Sequence, residues 1–147
     1  MEGERPREPL QVEGELRHSV PPREPEGRGA VWLWALGDMI PLAGEVAALL
    51  TARGVPAGVV NARFIKPLDI DLLTAQAAGG ARMFITLENG AVTGGFGSAV
   101  REALGGAGIH LPVRTFGWPD AFMPHGTTRQ LLEEAGLTAE KIMKALL

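Results

Sequence analysis

Ala30-Val31-Trp32-Leu33-Trp34-Ala35-Leu36, closed by Gly37-Asp38, is the stretch on which the fold turns. It is a continuous apolar run of strand length with no polar alternation. Such a run predicts a strand covered on both faces, as in a parallel sheet layered by helices. Beyond it, Leu42, Ala43, Val46, Leu49 and Leu50 fall at helical spacing and end at Arg53-Gly54. These five are expected on the inward face of a helix that a glycine closes.

The alternation then repeats. Ala57 to Phe64 (AGVVNARF) reads as a second strand that stops before Lys66-Pro67, and Leu68 to Ala78 as a helix with Asp69 at its N-cap. Arg82 to Leu87 is a third strand. A glycine loop follows, then a helix with Phe96, Val100, Ala103 and Leu104 inward. Leu111 to Phe116 is a fourth strand, ended by Gly117-Trp118-Pro119-Asp120. Thr127-Thr128-Arg129-Gln130 has capping-box spacing and opens a helix to Ala135. A last helix begins near Thr138, with Ile142, Ala145 and Leu146 inward. Strands separated by helices make an α/β sheet with helical layers.

On the other side of Ala30 the composition changes. Residues 1–29 hold five of the eleven prolines, four glycines, seven acids and five arginines. Too little apolar area is present to offset the entropy of ordering, so this stretch is expected to be a linker or extended segment preceding a folded unit over 30–147. Leu10 to Leu16 alternates apolar and polar residues and could supply one short edge strand. No apolar run follows Met1, which argues against a signal peptide.

Composition narrows the function classes. Fourteen Lys and Arg against seventeen Asp and Glu give a net charge of −3, so no basic field is present to hold nucleic acid or an anionic membrane. Cysteine is absent, which removes disulfides, thiolate nucleophiles and cysteine-ligated metals. Three scattered histidines do not read as a metal site. A cytoplasmic domain with little catalytic hardware is expected.

Four places could still carry chemistry. The loop Glu88-Asn89-Gly90-Ala91-Val92-Thr93-Gly94-Gly95-Phe96-Gly97-Ser98 follows a strand and opens a helix, where backbone N–H groups attract anions. It lacks the Gly-Lys-Ser/Thr of a phosphate loop, and Val100 stands where a dinucleotide fingerprint has its last glycine. Close packing of helix on sheet is the better account of Gly94, Gly95 and Gly97. Glu88 is either a general acid or base, or a loop anchor accepting N–H bonds from the glycine turn, and the lone acid favours the anchor. Arg63, Lys66 and Asp69 are either a phosphate clamp, or a helix cap beside two cations facing solvent or a neighbouring subunit. His125 lies in a segment rich in proline, glycine and aromatics that suits packing at an interface. Without a serine or cysteine partner, a polar interface or helix-entry role outweighs proton transfer. Glu88, Asn89, Gly94, Gly95, Gly97 and His125 are therefore the candidate interface or anion-contact residues.

These motifs together resemble the 1-deoxy-D-xylulose-5-phosphate synthase family. Ala62-Arg63-Phe64-Ile65-Lys66-Pro67-Leu68-Asp69 is similar to its ARF-[IV]-KPLD segment. Leu87-Glu88-Asn89, with Gly94 to Val100, resembles its EEN…GGFGSAV segment, Leu87 replacing the first of two acids. Gly117-Trp118-Pro119-Asp120 through His125-Gly126 resembles its G-x-PD-x-F segment, and Gly136 to Ala139 its GLDA. Pro9 to Gly14 resembles the join between that enzyme's middle and last domains. Transketolases and pyruvate dehydrogenase beta-type subunits fit less well.

The resemblance implies a C-terminal, transketolase-type domain: a three-layer α/β/α sandwich on a five-stranded, mostly parallel sheet with one antiparallel strand. The whole enzyme joins a pyruvate-derived unit to glyceraldehyde 3-phosphate with loss of CO₂, at the entry to isoprenoid precursor synthesis. Its thiamine diphosphate and Mg²⁺ sit in other domains, through a Gly-Asp-Gly motif that this sequence lacks. The domain would then be a structural and dimer-forming module, inactive alone, whose partners are the enzyme's remaining domains and a second copy. A separate subunit of another thiamine enzyme, or a small-anion-binding regulatory module, is the alternative.

Overall fold

The computed structural model describes residues 29–146. The strand expected within Leu10–Leu16 lies outside them. Ten short elements follow one another: β1 Val31–Ala35, a 3-10 turn Gly37–Met39, α1 Ile40–Ala52, β2 Ala57–Asn61, α2 Ile70–Ala78, β3 Met83–Ala91, α3 Phe96–Gly106, β4 Val113–Trp118, α4 Thr128–Glu134 and α5 Ala139–Leu146.

The α/β architecture expected from the apolar runs is the one observed. The four strands form one sheet in the order β2-β1-β3-β4, every pair parallel, with Val31 level with both Ala57 and Met83. Among the described residues the sheet has four strands, all parallel, against the five, mostly parallel, that the resemblance implied, and the α/β fold itself is as expected.

The central strands show why their sequences carry no polar alternation. Val31, Leu33 and Ala35 of β1 join Ile85 and Leu87 of β3 in a core closed by Ala43, Val46 and Leu50 of α1 and by Ile142 and Met143 of α5. The alternate residues Trp34 and Phe84 face a second core with Leu73, Phe96, Val100 and Leu104, from α2 and α3. Two apolar faces on one strand need helices on both sides of the sheet. Within the second core the Trp34 indole N–H donates to Gln76 Oε1 at 2.9 Å, and both residues are buried. Replacing Gln76 by leucine is expected to cost about 1–3 kcal/mol in urea unfolding, because the indole donor would lose its buried partner.

Several boundaries move. In α1 the buried stripe is Ala43, Val46, Ala47 and Leu50, so Leu49, expected inward, is exposed. In α5 it is Ala139, Ile142 and Met143, with Leu146 packed beside them, and Ala145 faces outward. Both errors have one cause: each residue stands six positions after the first of its stripe, off the i, i+3, i+4, i+7 face. Strand β2 ends at Asn61 rather than Phe64. The Asn61 side chain accepts from the Arg63 N–H, and Arg63 takes a left-handed φ of 54°, which leaves the ladder. Strand β4 is displaced two residues later than expected, and β3 runs on through Glu88 and Asn89 to Ala91. The helix caps stand where expected. Asp69 accepts from the Leu72 N–H, and Thr127 with Gln130 makes a reciprocal capping box.

Candidate functional site

All four strands are parallel, so the segments that follow them gather at one end of the sheet. The order reverses between β1 and β3: the chain leaves β1 towards β2, and later leaves β3 towards β4. In open α/β sheets the crevice beyond the carboxyl ends at such a reversal is the usual place for a site. Here it lies between Gly37-Asp38 and Glu88-Asn89.

Strand alternation sends these two β3 residues opposite ways. Glu88 points inward and is 3% exposed. Its Oε2 accepts from the Phe96 N–H at 2.7 Å and its Oε1 from the Gly97 N–H at 3.1 Å. The carboxylate thereby caps α3, satisfying two N–H groups that have no partner within the helix, at the positive end of its dipole. Asn89 is exposed and ties β3 to β4 and to the 3-10 turn after β1. Its Nδ2 donates to Asp38 Oδ2 at 2.7 Å, while its Oδ1 accepts from the Trp118 indole N–H at 2.6 Å.

The glycines make room for this arrangement. A Cβ on Gly95 would run into the Glu88 carboxylate and the Ala91 carbonyl. One on Gly97 would strike Thr115 and lie 2.7 Å from Thr86 Oγ1. One on Gly117 would lie 2.7 Å from the Gly90 carbonyl oxygen and 2.8 Å from Glu88 Cγ. Gly94 has a different reason, a φ of +70° with open space around it. Between Leu87 and Ala91, β3 advances four residues while β4 advances two, so the strand bulges where Glu88 turns under the helix.

Both Glu88 oxygens are engaged and the group is buried, so the geometry is that of the loop anchor. An external anion at the start of α3 would meet a tethered carboxylate already holding the Phe96 and Gly97 donors. Asp38 was missed as a member of this cluster. A Gly-Asp pair closing a strand was its only signal, and nothing local tells that its partner is fifty-one residues away.

His125 stands apart. It is exposed in the segment between β4 and α4, and among the described residues it shares no hydrogen bond with Glu88 or Asn89. In the same segment Phe122 is fully exposed, and Pro119 and Asp120 are exposed too. Asp69 serves as the cap of α2 while Arg63 and Lys66 are exposed beside it. Among the described residues no three His, Cys, Asp or Glu side chains gather as a metal site, and no helix is long and apolar enough to cross a membrane.

Residues 24–142 match the family described as transketolase, C-terminal domain. The chain belongs to that family. The 1-deoxy-D-xylulose-5-phosphate synthase of Heliobacterium modesticaldum is 43% identical to this transketolase C-terminal domain over 127 residues, covering 82% of the chain and 20% of the relative. That of Thioalkalivibrio sulfidiphilus is 46% identical over 121 residues, covering 82% and 18%. A solved structure described as a split gene transketolase, inactive β4 tetramer, superposes with a TM-score of 0.71 at 38% identity, over 81% of this chain and 38% of its own. The transketolase C-terminal domain thus spans about a fifth of the length of the curated relatives it matches. The resemblance read from the motifs is the one these matches show.

Proposed function

We propose that this chain serves as the C-terminal domain of a thiamine-diphosphate-dependent 1-deoxy-D-xylulose-5-phosphate synthase. The reaction is the joining of pyruvate and glyceraldehyde 3-phosphate with release of CO₂. The observation that carries the proposal is the engagement of Glu88, the buried acid of the EEN-like motif, as the anchor of α3. The motif shared with the synthases then shapes the domain's surface and leaves the reacting groups to the rest of the enzyme. The same engagement disfavours the small-anion module, whose donors would be those already taken.

Thiamine diphosphate and Mg²⁺ belong, in this reading, to the remaining domains. The described residues do not fit that cofactor: no acidic or histidine cluster suits the metal, and the glycine loop holds no free pair of N–H donors at the α3 terminus for a diphosphate. Residues 1–29 would join this domain to those before it, and the folded unit would begin at Ala30. In this reading the chain also pairs with a second copy as a homodimer; the neighbour described as an inactive β4 tetramer is itself an assembly of like chains. A cytoplasmic location accords with the relatives being metabolic synthases.

The test has two arms. The purified chain alone is expected to give no 1-deoxyxylulose 5-phosphate from pyruvate and glyceraldehyde 3-phosphate. The Heliobacterium relative, with this domain in place of its own, is expected to keep its turnover within about tenfold, or about 1.4 kcal/mol of barrier. Turnover by the isolated chain, or a folded chimera with no activity, would refute the proposal.

A further inference from the structure

An asparagine amide can be attacked by the backbone nitrogen of the next residue. The ring closes most readily when that residue is glycine, which has no Cβ to hinder the approach. Of the two asparagines in the sequence, Asn61 precedes Ala62 and Asn89 precedes Gly90. Both are exposed. Asn89 alone has the neighbour that the reaction favours.

A regular ladder would hold the Gly90 nitrogen away from the Asn89 side chain, but the ladder lapses here. Strand β3 pairs with β4 at Leu87 and next at Ala91, so Asn89 and Gly90 lie in the bulge, outside the paired register. The side chain's own partners supply the restraint instead. Asp38 Oδ2 accepts from Nδ2 at 2.7 Å, and the Trp118 indole N–H donates to Oδ1 at 2.6 Å. With both ends of the amide engaged, Cγ cannot turn onto the Gly90 nitrogen until the bridge opens.

We propose that Asn89-Gly90 is a self-modification site, a deamidation whose rate the Asp38–Asn89–Trp118 bridge sets and whose product breaks that bridge. When the bridge opens, the Gly90 nitrogen attacks Asn89 Cγ and forms the new N–C bond. The Cγ–Nδ2 bond breaks, and the proton of the Gly90 N–H departs with the amide nitrogen as ammonia. Water then adds to one carbonyl of the cyclic imide. Opening at the main-chain carbonyl leaves isoaspartate, with the chain rerouted through the former side chain, and opening at the other leaves aspartate. In both products the donor to Asp38 is gone and a carboxylate is added beside it, so attraction becomes repulsion. Water cannot restore the amide, and the change is permanent in the chain alone.

The test incubates the full chain at mildly alkaline pH, where the amide proton is lost more readily, and follows its peptides by mass spectrometry. Wild type is expected to convert Asn89 to aspartate and isoaspartate while Asn61 persists. A Cβ on Gly90 would meet only Glu88 Oε2, at an ordinary 3.6 Å, so Gly90→Ala leaves the fold intact. It is expected to slow conversion at least about tenfold, because alanine restricts the backbone that the ring needs. Asp38→Ala releases one end of the amide and is expected to speed conversion at least about threefold, by making local opening easier. Thermal melting reads the consequence. Asn89→Asp is expected to lower the melting temperature by about 3–6 °C. Adding Asp38→Asn turns a donor back towards the new carboxylate and is expected to recover most of that loss. Far-ultraviolet circular dichroism confirms folding of each variant. An Asn89 that persists as long as Asn61, or that converts equally fast in Gly90→Ala, would overturn the site. Conversion unchanged or slowed in Asp38→Ala would overturn the bridge's control, and Asn89→Asp melting with wild type would overturn the consequence.

Discussion

Replacing Gly97 by alanine is expected to destabilise the domain by about 2–3 kcal/mol and lower its melting temperature by about 10 °C. The added methyl collides with Thr115 and comes within 2.7 Å of Thr86 Oγ1 and 2.9 Å of Thr115 Cβ. Neither threonine can step aside easily. They stand opposite each other in the ladder of β3 and β4, and β-branched side chains have few rotamers to choose from. The helix must therefore lift from the sheet, opening the core at Phe96 and Val100. Alanine's better helix propensity returns at most about 1 kcal/mol, which is too little to change the sign. Gly105 of the same helix supplies the control. A Cβ there meets nothing within 4 Å, so Gly105→Ala is expected to raise stability by about 0.5–1 kcal/mol. Adding Thr115→Ser to Gly97→Ala removes the methyl nearest the new one and is expected to recover part of the loss. Urea midpoints measured at a common m-value decide all three. Equal effects at Gly97 and Gly105 would mean that close approach is not what Gly97 serves.

That contrast also marks how far the residues alone could be read. Seven glycines between 90 and 108 look alike as letters, and only the fold separates Gly97, wedged on two threonines, from Gly105, in open space. The continuous runs Val31–Ala35 and Met83–Leu87 were legible because burial on both faces leaves a composition that no exposed strand shares. The caps Asp69 and Thr127 were legible because each acts on a residue three positions away. Leu49 was misread for one physical reason: an apolar side chain has the same identity in a core or on an open surface. The bridge from Asp38 through Asn89 to Trp118 joins three strand ends distant in sequence. Local spacing cannot reveal it. The bulge in β3 escaped because the glycines within it read as loop, although the strand continues through them.

Glu88 is expected to be the most costly polar side chain to remove. In Glu88→Ala, the Phe96 and Gly97 N–H groups lose their acceptor beneath a packed loop, and the helix loses the anion at its positive end. Charge-assisted bonds of this kind are worth about 1.5–3 kcal/mol each, and the dipole contributes up to about 2 more. Against this stands the desolvation relieved when a buried carboxylate is removed, itself several kcal/mol. The balance is an expected loss of about 3–4 kcal/mol. Glu88→Gln keeps the shape and one acceptor but turns an NH₂ towards the remaining donor, so a loss of about 2–3 kcal/mol is expected. Amide exchange locates the effect, with Phe96 and Gly97 protected in the wild type and exchanging faster in both variants. A coupling measurement separates anchoring from mere burial. Gly95→Ala places its Cβ against the Glu88 carboxylate, so it should cost less in the Glu88→Ala background than in wild type. The clash with the Ala91 carbonyl persists in both backgrounds and sets the remainder. Were Glu88 instead held ready as a proton donor or acceptor, Glu88→Gln would leave stability and exchange at α3 unchanged while abolishing turnover in the synthase chimera. An anchor gives the opposite signature: the loop loosens first, and turnover falls only as far as the loosened surface disturbs the domains packed against it.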